Sequence, residues 1–233
     1  MRIAILSDIH SNLQALTKAL EVIDELGADE IYCLGDIVGY GANPNECVGL
    51  VRNRVTKCVL GNHDLAVVDP LTGGYLDKNG KIAAEWTRRI LAEEHRNFLA
   101  GLPFTVHTEV MTLVHSNPAE PATWRRIETL EDARPQFAHF DTPLCFIGHT
   151  HVPFVCGEDL ETMEVRRGLK VLVNVGSVGQ PRDGEDALSF GVFDDRTWEY
   201  RNVRVAYDVG RTAEAIRQAG LPGALADRLT RGV

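Results

Sequence analysis

The stretch Gly61-Asn62-His63-Asp64 places an amide, an imidazole and a carboxylate directly behind the apolar run from Val55 to Leu60. We predict that this run is a buried strand, because it is short, apolar and closed by glycine and polar groups. In an open α/β sheet, ligands bind in the crevice outside the carboxyl ends of the strands. Residues 61–64 are therefore the first candidate for a functional site.

Four other apolar runs end in the same way. Each is followed by Asp or His: Ile3 to Leu6 by Asp8 and His10, Ile31 to Leu34 by Asp36, Met111 to Val114 by His115, and Leu144 to Ile147 by His149 and His151. Asp, Asn and His are residue types that bind divalent metal ions. Five predicted strands with such endings favour a two-metal site for phosphoester hydrolysis.

The opening third of the chain alternates strand and helix. A helical stripe that includes Leu16 and Leu20 follows Ser11, the predicted N-cap, and Pro44 opens a second helix. A β-α-β-α-β start of this kind requires parallel strands joined by right-handed crossovers. Residues 64–102 then have a helical pattern, in which the interruption at Gly73-Gly74 and Asn79-Gly80 predicts a mobile flap over the site.

After Pro103 the chain is mainly strand, and one of the predicted strands runs from Met163 to Arg167. Strands that follow a β-α-β-α-β start are expected to build a second sheet. We predict an α/β fold in which two mixed β-sheets pack as a sandwich with helices on both outer faces, in four layers (α-β-β-α). The dinuclear metal site would lie at the strand carboxyl ends. We expect a single domain, 1–233, with a helical tail from about residue 209 to 233.

Composition limits the classes of partner. The 24 Lys and Arg against 33 Asp and Glu give a net charge of −9, which argues against nucleic acid and anionic membranes as partners. Any bound phosphate must be neutralised locally, and metal ions would do this. The short basic pair Arg125-Arg126 is expected to be solvated.

Nothing in the sequence resembles a membrane span or a signal segment, since the apolar run after Arg2 is too short for either. The five cysteines are odd in number and contain no C-x-x-C pair, so we interpret them as buried thiols in a reducing cytosol. We therefore predict a cytoplasmic protein. Homo-oligomerisation stays open.

In this order the polar blocks resemble those of the calcineurin-like metallophosphoesterases. The blocks are Asp8-x-His10, Gly35-Asp36, Gly61-Asn62-His63-Asp64, His115 and Gly148-His149-Thr150-His151. The chain looks most like the small microbial phosphodiesterase branch of that superfamily. The resemblance implies a metal-dependent phosphoric ester hydrolase, a phosphodiesterase or phosphatase, whose substrate is a small phosphoester or a nucleotide.

The resemblance also implies seven metal ligands. One ion would be held by Asp8, His10, Asp36 and His151, and the other by Asp36, Asn62, His115 and His149. The carboxylate of Asp36 would bridge two divalent metal ions. The mixed nitrogen and oxygen set suits Mn, Fe, Zn, Co or Ni, among which we favour Mn.

His63 is the histidine that, by resemblance, donates a proton to the leaving group, while a hydroxide that bridges both metals attacks phosphorus. The alternative is a structural imidazole. Asp64 is a candidate to support His63 in catalysis, and an exposed loop acid is the other interpretation. Asn12 is a candidate substrate-binding residue, unless it is simply part of the first helical turn.

The chain departs from the pattern of the superfamily's protein phosphatases at one place. Those enzymes have an Asp-Arg pair just after the second block, whereas Gly39 and Tyr40 stand at these positions here. Phosphoprotein phosphatase activity is therefore in doubt. Arg182, in a Gly/Pro-rich loop at 174–184, is a candidate substrate-binding residue that would grip the phosphate instead. A plain surface turn is the competing interpretation.

Other functions remain to be weighed. A dinucleoside polyphosphate hydrolase and a nuclease would use the same metal site, although the acidic balance argues against the nuclease. A non-catalytic scaffold on the same fold belongs to another class. The presence of His63 and of all seven ligand positions argues against the scaffold.

Overall fold

The computed structural model describes residues 1–69, 71 and 75–233. Its strands are β1 Arg2–Leu6, β2 Glu30–Cys33, β3 Lys57–Cys58, β4 Thr105–His107, β5 Met111–Val114, β6 Leu144–Ile147, β7 Phe154–Gly157, β8 Val171–Asn174, β9 Leu188–Asp194 and β10 Glu199–Val205. Its α-helices are α1 Leu13–Glu25, α2 Pro44–Arg54, α3 Asn62–Val68, α4 Lys78–Ile90, α5 Glu93–Ala100, α6 Leu130–Ala133, α7 Val209–Gln218 and α8 Gly223–Asp227. The tail is helical, as the sequence predicts.

The strands form two five-stranded sheets. The first has the order β10-β9-β1-β2-β3, and the second has the order β4-β5-β6-β8-β7. Strands β1, β2 and β3 are parallel, as are β5, β6 and β8, while the edge pairs β9-β10, β4-β5 and β7-β8 are antiparallel. Both sheets are therefore mixed, as predicted.

Alternating side chains of the two sheets build the central core. Ile3 and Ile5 of the first sheet pack in one cluster with Leu113 and Phe146 of the second. The outer face of the first sheet packs on helix residues such as Leu16, and separate apolar side chains cover the outer face of the second sheet. Burial on both faces explains why the parallel strands are continuous apolar runs. The predicted four-layer α-β-β-α sandwich is confirmed.

Helix α1 begins one residue later than the predicted cap requires. Ser11 lies in the left-handed region, at φ 53°, and Asn12 is the N-cap, because its side-chain oxygen accepts the backbone N–H of Ala15 at 3.1 Å. The proposed Ser11 cap is therefore wrong. A turn with left-handed residues separates β1 from α1, and a periodicity argument does not detect it.

Two other predictions need correction. The described residues contain no strand at Met163–Arg167. The third strand covers only Lys57–Cys58, whereas the prediction was Val55 to Leu60. Asn79 and Gly80 do not interrupt a helix, since they lie in the first turn of α4, where Gly80 N–H donates to the N-cap Asp77. The other half of the predicted flap, Gly73-Gly74, lies outside the described residues.

Among the described residues, no helix combines the length and apolar character that a bilayer crossing needs.

Candidate metal centre

The seven predicted ligands converge where the two sheets meet. Asp8, His10 and Asp36 follow β1 and β2, Asn62 opens α3 after β3, and the remaining three histidines follow β5 and β6. All but His149 are buried to at least nine-tenths. The carboxyl ends of parallel strands from both sheets thus supply one buried group of oxygen and nitrogen donors.

The donors form two adjoining groups. In one, Nε2 of His151 lies 3.1 Å from Oδ1 of Asp8 and 3.1 Å from Nε2 of His10. In the other, Nε2 of His115 lies 3.3 Å from Oδ2 of Asp36. That nitrogen is also 3.2 Å from Oδ1 of Asn62 and 3.2 Å from Nδ1 of His149. Asp36 also approaches the first group, with Oδ2 3.7 Å from Nε2 of His10. This is the position of a bridging carboxylate.

A backbone carbonyl orients each of the four imidazoles. The Nδ1–H groups of His10, His115 and His151 donate to the carbonyl oxygens of Val38, Leu34 and Gln180, at 3.2, 2.8 and 2.5 Å. His149 donates through Nε2–H to the carbonyl of Trp124 at 3.0 Å. A carbonyl only accepts, so in each neutral ring the other nitrogen carries a lone pair. Those four nitrogens all point into the cluster.

Lone pairs and carboxylates that face one another at these distances repel unless a cation lies between them. Oδ1 of Asp8 is buried and has no hydrogen-bond partner among the described residues. The donors therefore fit two divalent ions, and backbone carbonyls that orient the ligand histidines are the usual second layer of such sites. The donor set contains no thiolate.

A proton on His115 supplies one positive charge within this group of donors. Burial would lower the pKa of His115, but the carboxylates of Asp36 and Asp8 raise it to about 10. Burial lowers the pKa of His149 to about 3, with the charge of His115 acting in the same direction. Burial would raise the pKa of Asp8, yet His151, His115 and His10 hold it well below its usual range. The cluster thus attracts positive charge.

The backbone at the ligands is strained. Asp8, His10, Asp36, His149 and His151 all have φ between 50° and 67°. This left-handed region is uncommon for residues other than glycine, costs of order 1 kcal/mol or more per residue, and is concentrated at functional sites. Sequence analysis gave no signal for it. These backbone conformations direct the side chains of the five residues into the cluster.

Glycines beside the ligands allow the loops to approach closely. A Cβ on Gly61 would lie 2.1 Å from Oδ1 of Asp36, and a Cβ on Gly148 would lie 1.9 Å from Oγ of Ser7 and 2.4 Å from Oδ2 of Asp8. Neither position accepts a side chain. The glycine that precedes Asn62 and the one that precedes His149 are therefore required by packing.

His63 lies beside the cluster, within 4.8 Å of donors on His10 and Asp36, and lines the cavity above it. Burial lowers its pKa to about 4. Its Nδ1 is buried without a hydrogen-bond partner among the described residues, and a Cβ on Gly39 would lie 2.6 Å from it. The residue that replaces the protein phosphatase Asp thus packs against this imidazole and offers it no acceptor.

Asp64 does not support His63. Its carboxylate accepts the backbone N–H groups of Val38 at 3.0 Å and Gly61 at 3.2 Å, and the side chain is fully buried. Burial, followed by the charge of Asp36, raises its pKa to about 7. Both earlier interpretations, the catalytic partner and the exposed loop acid, are corrected. Asp64 connects the loops after β2 and β3 through these two hydrogen bonds.

Asn12 is also corrected, because its side chain is used inside the fold. Its Nδ2 donates to the carbonyl of Gly179 at 2.9 Å and to Oη of Tyr207 at 3.2 Å. Its Oδ1 caps α1 and accepts Oγ1–H of Thr212 at 3.0 Å. The side chain is buried and does not line the cavity above the metal ligands. Asn12 therefore links the start of α1 to Tyr207 and to Thr212 of the helical tail by hydrogen bonds.

A cavity of about 500 Å³ opens above the cluster, and Asp36, Asn62, His149 and His151 lie at its base. Arg182 lines it and donates to Oε1 of Gln180 at 2.9 Å. It also reaches Oη of Tyr40 at 3.5 Å, while its Nε is buried without a partner among the described residues. The loop at 174–184 is therefore part of the site wall. Tyr40 positions this arginine. In the sequence, Tyr40 is notable only because it stands where the protein phosphatases have an arginine.

Residues 1–197 match the profile of the calcineurin-like phosphoesterase superfamily domain. The chain belongs to this superfamily. The matched span contains all seven predicted ligands and His63, so the family assignment made from the five polar blocks is confirmed. Residues 198–233, which include α7 and α8, lie beyond it.

Two relatives cover nearly the whole chain. Uncharacterized protein MJ0912 of Methanocaldococcus jannaschii is 40% identical over 242 residues, covering 99% of this chain and 98% of that protein. The crystal structure of a metallophosphoesterase from Sphaerobacter thermophilus is 39% identical with a TM-score of 0.90, and covers 100% of this chain and 99% of that one.

A third relative carries a substrate in its name. Symmetrical bis(5′-nucleosyl)-tetraphosphatase of Actinobacillus pleuropneumoniae serotype 5b is 29% identical over 138 residues. The match covers 56% of this chain and 49% of that protein.

Proposed function

We propose that this chain is a metal-dependent phosphodiesterase or phosphatase that hydrolyses small phosphoesters. The observation that carries the proposal is the set of four imidazole nitrogens aimed at two carboxylates beneath an open cavity. Such a donor set has little use other than to hold cations, and the phosphoesterases of this superfamily supply the class of reaction.

The ligand roles follow the two groups. Asp8, His10, Asp36 and His151 would hold one ion, and Asp36, Asn62, His115 and His149 would hold the other. The donors suit Mn, Fe, Zn, Co or Ni, and we propose Mn. A bound pair of cations would neutralise phosphoryl charge and would lower the pKa of water in the site.

His63 serves as the proton donor in this proposal. Its imidazole borders the cavity and lies 4.3 Å from the ring of Tyr40 and 4.8 Å from that of His10, centroid to centroid. Burial favours its neutral form, and a bound anionic phosphoester would favour the protonated form. The protonated imidazole then gives its proton to the leaving oxygen.

Arg182 binds a non-bridging phosphoryl oxygen in this proposal. The protein phosphatases of the superfamily bind phosphate with an arginine where this chain has Tyr40. Arg182 would replace that arginine. Its Nε has no other partner among the described residues, and Gln180 and Tyr40 fix its terminal nitrogen. An arginine held in this way loses little side-chain freedom when it binds phosphate.

The test is hydrolysis of bis(p-nitrophenyl) phosphate by the purified protein with added Mn²⁺. Activity should stop with a chelator and return with the metal. Asn62→Ala and His149→Ala should each lower kcat/KM at least about 100-fold, because each removes a direct ligand. His139→Ala, at an exposed histidine, is the matched control. Full activity of the ligand variants, or activity that survives metal removal, would contradict the proposal.

A second candidate is the hydrolysis of dinucleoside polyphosphates. The Actinobacillus relative's name favours it, and the exposed aromatic ring of Tyr75 in the cavity wall offers a surface for a base. The test is incubation with diadenosine tetraphosphate and separation of the products by chromatography. Turnover faster than that of simple diesters would favour this candidate, and absence of turnover would exclude it.

We also propose that the protein works in the cytoplasm, since its five cysteines are all unpaired thiols.

A further inference from the structure

Three arginines from separate parts of the chain line the cavity above the candidate metal centre: Arg126, Arg182 and Arg228. Arg126 follows the turn at Pro121–Thr123, Arg182 lies in the loop after β8, and Arg228 directly follows α8. Arg126 is exposed, as predicted for the basic pair, and its side chain also borders the cavity. One phosphoester does not need three such cations.

Tyr40 connects two of these arginines to the centre. The guanidinium carbons of Arg182 and Arg228 each lie 5.8 Å from the centroid of its ring. The same ring lies 4.7 Å from that of His10 and 4.3 Å from that of His63. Both guanidinium groups therefore lie one side chain away from the proposed site of hydrolysis.

Arg182 and Arg228 have no side-chain carboxylate as an ion-pair partner within the described part of the chain. Arg182 bonds to Gln180 and Tyr40, and Arg228 Nε donates to the backbone oxygen of Val233 at 2.6 Å. Burial lowers the pKa of Arg228, and the positive charge of Arg182 lowers it further, while Tyr40 and Asp77 act in the opposite direction. Two neighbouring cations that repel each other beside a cavity form a site prepared for an anion.

Packing of the tail fixes the position of Arg228. Leu225, Ala226 and Leu229 are buried in one apolar cluster with Tyr40 and with Ala83 of α4. The backbone on both sides of Arg228 is thus anchored against the wall of the cavity. This segment lies beyond residue 197, where the match to the superfamily domain ends. Arg228 therefore lies outside the matched superfamily domain.

We propose that Arg228, which lies beside the Arg182 that binds the hydrolysed phosphoryl group, binds a second phosphoryl group of the substrate, one that is not hydrolysed. The proposal rests on the proposed function and deepens it: the tail makes the enzyme select phosphoesters that carry at least two phosphoryl groups. Guanidinium groups bind phosphate oxygens in pairs of parallel hydrogen bonds, and a cavity of about 500 Å³ has room for such a ligand.

The experiment measures binding, which does not depend on turnover. Calorimetry in the same excess of Mn²⁺ gives the dissociation constants of AMP and ADP, which differ by one phosphoryl group. The wild-type protein should bind ADP at least about tenfold more tightly than AMP. In Arg228→Gln the ratio of the two constants should fall to near one. Arg231→Gln, at an exposed arginine three residues away, should keep the wild-type ratio.

Arg228→Lys provides a second variant in case the glutamine variant folds poorly. It keeps the charge but loses the bidentate contact, so the ratio should fall to an intermediate value. Equal wild-type affinities for ADP and AMP would overturn the inference. So would a ratio in Arg228→Gln no lower than in Arg231→Gln.

The two proposals fail in different ways. If the protein prefers ADP but hydrolyses no phosphoester, the proposed function fails and the anion site stands. If it hydrolyses diesters but shows no preference for ADP, the anion site alone fails.

Discussion

At the scale of single residues, the chemistry of the site depends on which nitrogen of each histidine is free. Backbone carbonyls of Val38, Leu34, Gln180 and Trp124 decide this, since each accepts one ring N–H. The sequence predicted the donors from their places at strand ends. It did not predict the orientation, because the accepting carbonyls lie up to 81 positions away in the chain.

His115 gives a prediction about protons. Its pKa of about 10 in the metal-free protein means that it is charged at pH 7.5. A histidine must be neutral to bind a metal, so metal binding should release about one proton from this residue. Calorimetric titration with Mn²⁺ in buffers of different ionisation enthalpy measures the number. On Mn²⁺ binding, the His115→Ala variant should release about one proton fewer than the wild type. A wild-type titration without proton release would contradict the assignment.

His63 gives a prediction about leaving groups. An alkoxide leaving group needs a proton, whereas p-nitrophenolate does not. His63→Ala should therefore lower kcat/KM on an alkyl diester by about 100-fold or more, and on bis(p-nitrophenyl) phosphate by less than about tenfold. His139→Ala should leave both values unchanged. Equal losses on the two substrates would remove His63 from the role of acid.

Asp64 and Asn12 explain where residue-level prediction failed. Both are polar residues next to motif residues, and sequence proximity suggested shared chemistry. In the fold, Asp64 bonds to two backbone N–H groups and Asn12 caps α1. Left-handed residues in the loop after β1 turn the chain so that neighbours in sequence point in different directions. Alternation and periodicity contain no information about such turns.

At the scale of elements, strand ends bring the ligands together, and glycines bring the loops into contact. The sequence predicted most strands and helices correctly because apolar runs mark elements that are buried on both faces. It failed at Met163–Arg167, where the run is polar enough and exposed enough to form no strand in the described structure. Local pattern is least informative at the surface.

Gly148 gives a prediction about loops. In Gly148→Ala the new Cβ would lie 2.4 Å from Oδ2 of Asp8, so the loop with His149 must shift. We expect a loss of about 1–3 kcal/mol in the free energy of unfolding and weaker Mn²⁺ binding. Urea unfolding and metal titration measure the two effects. The control is Gly210→Ala in α7, where a Cβ meets only ordinary contacts and alanine favours the helix. Equal behaviour of the two variants would contradict the packing argument.

At the scale of the whole molecule, the candidate centre joins the two sheets. Asp8, His10 and Asp36 follow strands of the first sheet, whereas His115, His149 and His151 follow strands of the second. The sandwich was predictable because a β-α-β-α-β start followed by strands leaves few other ways to bury both sheets. The place of the tail was not predictable, since Leu229 and Tyr40 share one apolar cluster but lie far apart in the sequence, which leaves no local signal.

The measurement that tests the central claim most directly is anomalous diffraction from crystals of the Mn²⁺-loaded protein. We predict two peaks about 3.5–4 Å apart, one on each side of the Asp36 carboxylate, with the remaining six ligands divided between them. A single peak, peaks elsewhere in the molecule, or no peak at saturating Mn²⁺ would contradict a two-metal centre built from these residues.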